Sequence, residues 1–298
     1  MAKTSLRGRN TCASVSAFSL DAQPAQLDKV VSRIFRPLFA NGSASLIFPS
    51  IPRLARLYRL FGKIRRTINP MTFMEAILRE ILYDSSGYTA RMECNRKIHF
   101  QPGQYFLGNH PDNVEEILPV PLYPVALLDP MLPLAPCPSN WQAGNRILLR
   151  GPFGNGFHLP EESLRVALFD WEGLAHLLVP LMQRALSQQA AVVLYASVPP
   201  SNLPPEVEVL PLEALSESFE WCDYLAGVIH RDSLAEFYQA TGWKHSLHLP
   251  AHAEVLVHTP MPCGGMGDCG VCAVLEKRDW RLACKDGPVF SLHHLEVA

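Results

Sequence analysis

Four cysteines near the end of the chain carry its strongest chemical signal. Cys263, Cys269, Cys272 and Cys284 are spaced C-x5-C-x2-C-x11-C. Thiolates are soft ligands that suit iron–sulfur clusters, zinc or copper(I). A plant-type [2Fe–2S] site uses C-x4-C-x2-C and a distant fourth cysteine, so this run has one extra residue in its first gap. Glycines inside the run, which tolerate the left-handed backbone that a cluster loop needs, also favour a [2Fe–2S] cluster.

Zinc and disulfides are the alternatives for these thiols. A structural zinc site usually shows two separated C-x2-C or Cys/His pairs, and only Cys269 and Cys272 form such a pair. A zinc loop would make the chain a non-redox scaffold or assembly subunit. Disulfides need an oxidising compartment, and nothing at the N-terminus reads as a secretory signal. We therefore expect reduced thiols in a cytoplasmic protein, and we favour a cluster over zinc.

Length and charge limit the classes of protein that fit. The 298 residues are enough for two or three domains, and the net charge is −2. This small total hides an excess of Lys and Arg in the first third of the chain and an excess of Asp and Glu in the rest. The acidic remainder argues against nucleic-acid binding. No apolar run in the sequence is long enough to span a bilayer.

Two helices are predicted in the N-terminal part of the chain. Residues 51–66 combine an apolar stripe at helical spacing with six cationic side chains. Such a basic amphipathic helix can dock on protein or lie on an anionic membrane surface, and we favour docking on the chain's own barrel or on a partner subunit. A second helix is predicted over residues 70–83. Residues 1–87 are thus expected to form a basic helical extension.

The remaining pattern predicts three further domains. Over residues 88–160, short strand-like pieces separated by Pro, Gly and Asn indicate a small antiparallel barrel that lacks its opening strands. Residues 161–250 alternate strands and helices, which predicts a parallel sheet with crossover helices. A strand at 254–258 feeds the cysteine run within a module over residues 251–298. The predicted barrel strands are 97–100, 105–107, 122–128 and 146–149.

Three sequence runs add to the cysteine spacing: FQPGQY at 100–105, GPFGNGF at 151–157 and ACKDGPVF at 283–290. In this order they resemble the electron-transfer subunit of bacterial dihydroorotate dehydrogenase B, a ferredoxin-reductase-like family. The resemblance implies a β-barrel that binds FAD, an α/β domain that binds NAD, and a [2Fe–2S] module ligated by the four cysteines. It also implies electron flow from NADH through FAD and the cluster to a catalytic partner subunit in pyrimidine biosynthesis.

The flavin site departs from that family. Its Arg-x-Tyr-Ser signature, whose arginine meets the FAD pyrophosphate, is matched here by residues 121–125, which read Pro-Leu-Tyr-Pro-Val and contain no arginine. Tyr123 is still a candidate to lie against a flavin ring. Gly154, Asn155 and Gly156 are candidates for backbone contacts to FAD. FAD therefore stays an open prediction.

The NAD site departs further. A dinucleotide needs glycines after the first strand, so that the chain turns tightly and approaches the pyrophosphate. Here that turn contains Asp170, Trp171 and Glu172. The carboxylates would repel a pyrophosphate, or they cap the N-terminus of the following helix. The family's Cys-Gly-Pro turn is also replaced, by Leu-Ala-Gly-Val at 225–228. Either way, we expect NAD binding to be lost.

The sequence thus predicts a multidomain α+β protein. It has a helical N-terminal extension, a ferredoxin-reductase-like β-barrel, an α/β Rossmann-like domain and a small C-terminal [2Fe–2S] module. We expect an electron-transfer subunit rather than a stand-alone catalyst, and full family activity with FAD and NADH is a third option. Histidines near the cysteine run, His258 among them, match no metal motif. We expect ordinary surface or core histidines, with proton coupling or a second metal site as alternatives.

Overall fold

The computed structural model describes residues 73–85, 87–113, 117–128, 130–242 and 249–297. These ranges fall within one compact unit, Ile68–Ala298. The helix expected over residues 51–66 lies outside them. Within these ranges, no helix is long and apolar enough to cross a membrane.

Six antiparallel strands form a closed barrel in the order β1-β2-β5-β4-β3-β6. Side chains that point inward from these strands, with Trp141 from a connecting loop, fill the barrel with an apolar core. Closure leaves no free strand edge. The strands are β1 Phe73–Asp84, β2 Gly87–Cys94, β3 Tyr105–Asn109, β4 Val120–Pro124, β5 Met131–Ala135 and β6 Arg146–Phe153.

The helix predicted over residues 70–83 is wrong, because β1 occupies this segment. Met74, Ala76 and Leu78 are buried while Glu75 and Ile77 are exposed, which is the alternation of a strand with one face on the core. Good helix formers such as Met, Glu, Ala and Leu dominate the segment, but pairing with β2 and β6 overrides that local preference. The barrel therefore begins at β1, and it keeps the opening strands that the sequence analysis took to be missing.

A six-stranded sheet forms the α/β part of the molecule, in the order β14-β11-β10-β7-β8-β9. Its first five strands in the chain run parallel, and β14 pairs antiparallel with β11. Helix α1 (Val179–Ser187) follows β7, and helix α2 (Leu234–Thr241) follows β10. The strands are β7 Arg165–Asp170, β8 Ala191–Ala196, β9 Glu208–Leu210, β10 Tyr224–His230, β11 His252–His258 and β14 Val289–Ser291.

The cysteine run is inserted into this sheet. The chain leaves the sheet at the end of β11, makes the cysteine loop and returns as β14 beside the strand that it left. A small three-stranded sheet, ordered β13-β12-β15, packs around the loop. Its strands are β12 Ala273–Glu276, β13 Asp279–Leu282 and β15 Leu295–Glu296. Because β11 and β14 belong to the main sheet, residues 251–298 do not form a separate layer.

Candidate iron–sulfur site

The structure brings the four predicted cysteines together in two pairs. The Sγ atoms of Cys272 and Cys284 are 3.4 Å apart, and both side chains are buried. Cys263 is also buried and is hydrogen-bonded to Cys269, which is exposed. Within the described ranges, no three His, Cys, Asp or Glu side chains are grouped around a single metal-ion position. The thiols are thus arranged two by two, and a [2Fe–2S] cluster takes two cysteines on each iron.

The backbone of the loop is folded around Cys263. Four glycines there adopt the left-handed conformation that the sequence predicts: Gly264, Gly265, Gly267 and Gly270. Burial works to raise the pKa of the Cys263 thiol. Hydrogen bonds from the backbone of Gly267 and from the side chain of Cys269 outweigh burial and lower that pKa to about 7. A thiolate is therefore accessible at this position near neutral pH, and a thiolate is the form that ligates metal.

In the second pair, Cys284 is held in its neutral form. Burial, together with hydrogen bonding and charge repulsion from Cys272, raises the pKa of Cys284 to about 12. Two thiolates this close repel each other unless a cation lies between them. An iron centre removes that cost by binding both sulfurs, and it would displace both protons. The donor set, its pairing and the backbone N–H groups around it therefore fit a [2Fe–2S] cluster.

The barrel holds the cysteine loop through β3 and the segment after β6. Tyr105 of β3 donates a hydrogen bond of 2.8 Å from its hydroxyl to the carbonyl oxygen of Cys284. Asn155 donates two more, from its backbone N–H to the Gly287 carbonyl and from its side-chain amide to the Asp286 carbonyl, both at 2.6 Å. Tyr105 was not among the predicted site residues. The sequence offered one signal for Tyr105, which is its place in the FQPGQY run. A buried tyrosine usually needs a hydrogen-bond partner for its hydroxyl.

The candidate flavin contacts serve other purposes in the structure. A side chain at Gly154 would meet the Gly287 carbonyl at 2.4 Å, because the backbones are in close contact there. Gly156 packs equally closely on Gln101. Tyr123 is buried, with ring centroids 5.8 Å from those of Tyr105 and His258.

Gly154, Asn155 and Gly156 thus contact other segments of the chain, and Tyr123 is buried beside two other rings. FAD binding at these four positions stays a prediction.

The sheet has its topological switch point between β7 and β10, where open α/β folds bind dinucleotides at the carboxyl ends of the strands. Asp170, at the end of β7, is buried there. Its Oδ1 accepts hydrogen bonds from the backbone N–H groups of Glu172 at 3.2 Å and Leu174 at 2.8 Å. These are the donors that a pyrophosphate would need. Burial raises the pKa of Asp170, and the same N–H groups work in the opposite direction.

Glu172 closes the same crevice from the other side. Its carboxylate accepts a hydrogen bond from the backbone N–H of His230 at 2.9 Å and another from the Ser233 hydroxyl. The side chain therefore bridges the ends of β7 and β10. The turns after β7 and β10 are where this kind of fold binds phosphate groups. Here the Asp170 carboxylate occupies the first turn and the Glu172 carboxylate occupies the second.

We expect no measurable NADH binding at sub-millimolar concentration and no NADH oxidation by the purified chain. Asp170 and Glu172 occupy the N–H groups on both sides of the switch point, and their negative charge repels a pyrophosphate. Titration of the purified protein with NADH, followed by calorimetry or by nucleotide fluorescence, measures this. A reductase that binds NADH is the positive control, and a micromolar dissociation constant for this chain would contradict the prediction.

Two histidines meet beside Tyr123. His258 ends β11 and His230 ends β10, and their Nδ1 atoms are 3.3 Å apart. Burial, and then the neighbouring His230 and His176, lower the pKa of His258 to about 4. Sequence alone could not find this pair, because the two residues meet only through the parallel pairing of β10 with β11.

Comparison with known proteins supports this description of the site. Residues 258–296 match the family model of the iron-sulfur cluster binding domain of dihydroorotate dehydrogenase B. No curated protein matches the chain in sequence. The structure is similar to that of an NADH-dependent reduced ferredoxin-NADP oxidoreductase studied for flavin-based electron bifurcation. The identity is 16%, the TM-score is 0.58, and the match covers 74% of this chain and 89% of that one.

Two other solved structures show weaker similarity. One is the ferredoxin reductase in carbazole 1,9a-dioxygenase, with 13% identity, a TM-score of 0.49, and coverage of 62% of this chain and 68% of that one. The other is a ferredoxin NADP+ reductase from Neisseria gonorrhoeae, with 16% identity, a TM-score of 0.42, and coverage of 56% and 89%.

The fold is thus ferredoxin-reductase-like, and the cysteine loop lies in a segment that matches an iron–sulfur binding domain. The protein is like the electron-transfer subunit of dihydroorotate dehydrogenase B, which confirms the resemblance drawn from the sequence. These findings support electron transfer through an iron–sulfur centre.

Proposed function

We propose that this chain relays single electrons through one [2Fe–2S] cluster held by Cys263, Cys269, Cys272 and Cys284. The observation that carries the proposal is the arrangement of the four thiols in two close pairs within a glycine-rich loop. Such a cluster, when bound, accepts and gives up one electron at a time. The chain's part is to ligate it, to direct backbone N–H groups at its sulfur ligands and to keep water from the buried pair.

Electrons enter and leave on the exposed side of the loop. Cys269 is exposed, and the side chains of Met266 and Val271 beside it are 56% and 40% exposed. A cavity of about 530 Å³ lies next to them, with Gly270, Val274 and Trp280 in its wall. Exposed apolar groups of this kind mark interaction sites. We assign this side to a redox or catalytic partner subunit, and the family's role in pyrimidine biosynthesis makes a dihydroorotate-oxidising subunit the first candidate.

The occupied switch point between β7 and β10 supports electron transfer without a nucleotide. The N–H donors at the switch point already bind Asp170 and Glu172, and the candidate flavin contacts are engaged within the chain. The proposed relay therefore runs between a one-electron donor and the partner through the cluster alone. The alternatives are a zinc-loop scaffold and a subunit that retains FAD and NADH activity.

Anaerobically purified protein is expected to be coloured, with about two irons and two sulfides per chain, the composition of one [2Fe–2S] cluster. Reduction by dithionite should bleach the visible bands and produce the electron paramagnetic resonance signal of a one-electron-reduced cluster. Flavin released by denaturation is expected to be far below one equivalent. A colourless protein with one zinc per chain would refute the relay, and a full equivalent of FAD would favour the retained-flavin alternative.

A further inference from the structure

Several residues near His258 have buried polar atoms without a hydrogen-bond partner. Among the described residues, five buried side-chain polar atoms have no hydrogen-bond partner: Arg91 Nε, Tyr123 Oη, His176 Nδ1, Gln188 Oε1 and Thr259 Oγ1. Three of these belong to neighbours of His258. Tyr123 packs on its ring, Thr259 follows it in the chain, and His176 is close enough to influence its charge. Buried polar groups normally have hydrogen-bond partners, so three unpaired polar atoms on neighbours of His258 point to a polar site around this residue.

Packed rings connect His258 to the cysteine loop. Tyr105 donates to the Cys284 carbonyl at 2.8 Å. The ring centroids of Tyr105 and Tyr123 are 5.8 Å apart, as are those of Tyr123 and His258. His258 and His230 follow at 4.8 Å. Tyr105 and Tyr123, which lie between the loop and the histidines, are buried, and charges act on each other more strongly there than in water.

We propose that the His230–His258 pair is a proton-binding site that takes up one proton when the cluster is reduced. The inference rests on the cluster function proposed above. An electron arrives from a one-electron donor, a proton comes from solvent to Nε2 of His230, and no covalent bond in the protein breaks. The added positive charge compensates the negative charge that reduction places on the buried sulfur ligands.

The geometry assigns a role to each imidazole. Burial, followed by the neighbouring histidines, lowers the pKa of His258 to about 4 and keeps it neutral, and we assign its Nδ1 as the acceptor of the hydrogen bond across 3.3 Å. His230 is partly exposed and in this assignment donates from Nδ1, which leaves its Nε2 as the nitrogen without a proton. The other groups around the pair are Glu172 and His176 after β7, Tyr123 on β4, and Arg231 with Asp232 after β10, which form an ion pair.

The test is the midpoint potential of the cluster-loaded protein, measured by spectroelectrochemistry between about pH 5 and 8. One proton per electron means a tenfold change in equilibrium for each pH unit, which is about 59 mV. We expect the wild-type potential to fall with rising pH, with a slope that approaches this value. The His230→Asn protein keeps a donor near the Nδ1 position but has no titratable ring, and it should show a flat profile. His294→Asn, at a partly exposed histidine of the same module, is the matched control and should keep the wild-type slope.

A second measurement does not depend on the variant. Electrochemical reduction of wild-type protein in weakly buffered solution, with a pH indicator, should show uptake of nearly one proton per electron near neutral pH. A pH-independent potential without proton uptake in cluster-loaded wild type would overturn the inference and leave the relay intact. An unchanged slope in His230→Asn would also overturn it. A protein that binds no cluster would instead refute the proposed function.

Discussion

Replacing Cys272 by serine is expected to remove most of the bound iron and nearly all of the visible absorbance. Cys272 is almost fully buried, and its Sγ lies 3.4 Å from that of Cys284. A serine hydroxyl is a harder and much weaker ligand for iron than a thiolate. Loss of one member of the pair leaves one iron with a single protein ligand, so the cluster is not retained. Iron and sulfide analysis of anaerobically purified protein measures the effect.

Cys137→Ser is the matched control for that experiment. Cys137 is also buried, but it lies beside the barrel, where its thiol donates to the Pro138 carbonyl. Burial raises the pKa of Cys137 to about 11, so it is a neutral thiol, and a serine hydroxyl can make the same hydrogen bond. Iron content and absorbance should match those of the wild type. A full complement of iron in Cys272→Ser would show that the ligands have been assigned wrongly.

Deleting residues 1–87 is expected to leave little or no soluble protein. The deletion removes the 12 residues of β1, which pairs with both β2 and β6 to close the barrel. The open barrel would expose two strand edges and an apolar core, and both promote aggregation. Soluble yield and thermal unfolding followed by circular dichroism report the outcome. A soluble 88–298 protein with cooperative unfolding would contradict this expectation.

Deletion of residues 1–67 is the matched truncation, because it keeps the whole unit Ile68–Ala298. This shorter deletion should give folded protein that binds its cluster. The two truncations together separate the contribution of β1 from that of the basic segment over residues 51–66. Insolubility of the 68–298 protein would show that the basic segment covers an apolar surface of the barrel. Salt-sensitive liposome binding by the full chain alone would favour the membrane alternative.

Chemistry that is local in the sequence could be predicted from it. The cysteine spacing and the glycines between the thiols identified the cluster loop, because ligand type and backbone freedom are properties of a short segment. Asp170 and Glu172 were predicted to exclude a pyrophosphate or to cap a helix. The structure adds that Glu172 reaches across to β10, which depends on the pairing of β7 with β10.

The secondary-structure predictions failed where pairing between distant strands determines the conformation of a segment. The helix-like composition of β1 gave no sign that two strands would hold the segment extended. Strand β5 was missed because Pro133 lies within it, and proline normally argues against a strand. The segment 97–100 was predicted as a strand, yet it makes no ladder in the structure. The contact of Tyr123 with His258 joins residues far apart in the chain, so no local pattern could have indicated it.

The return of the chain as β14 limits how far the cysteine loop can move. Residues Val289, Phe290 and Ser291 pair with Leu256, Val255 and Glu254 of the strand from which the cysteine loop departs. Both ends of the loop are therefore fastened to neighbouring positions of one sheet, and hydrogen bonds from Tyr105 and Asn155 hold the segment 284–287 just before β14. A cluster bound in this loop, as we propose, would therefore be held at one position. The electron donor and the electron acceptor would then each have to reach the loop itself. They would bind in turn at one face of it or approach it from two sides.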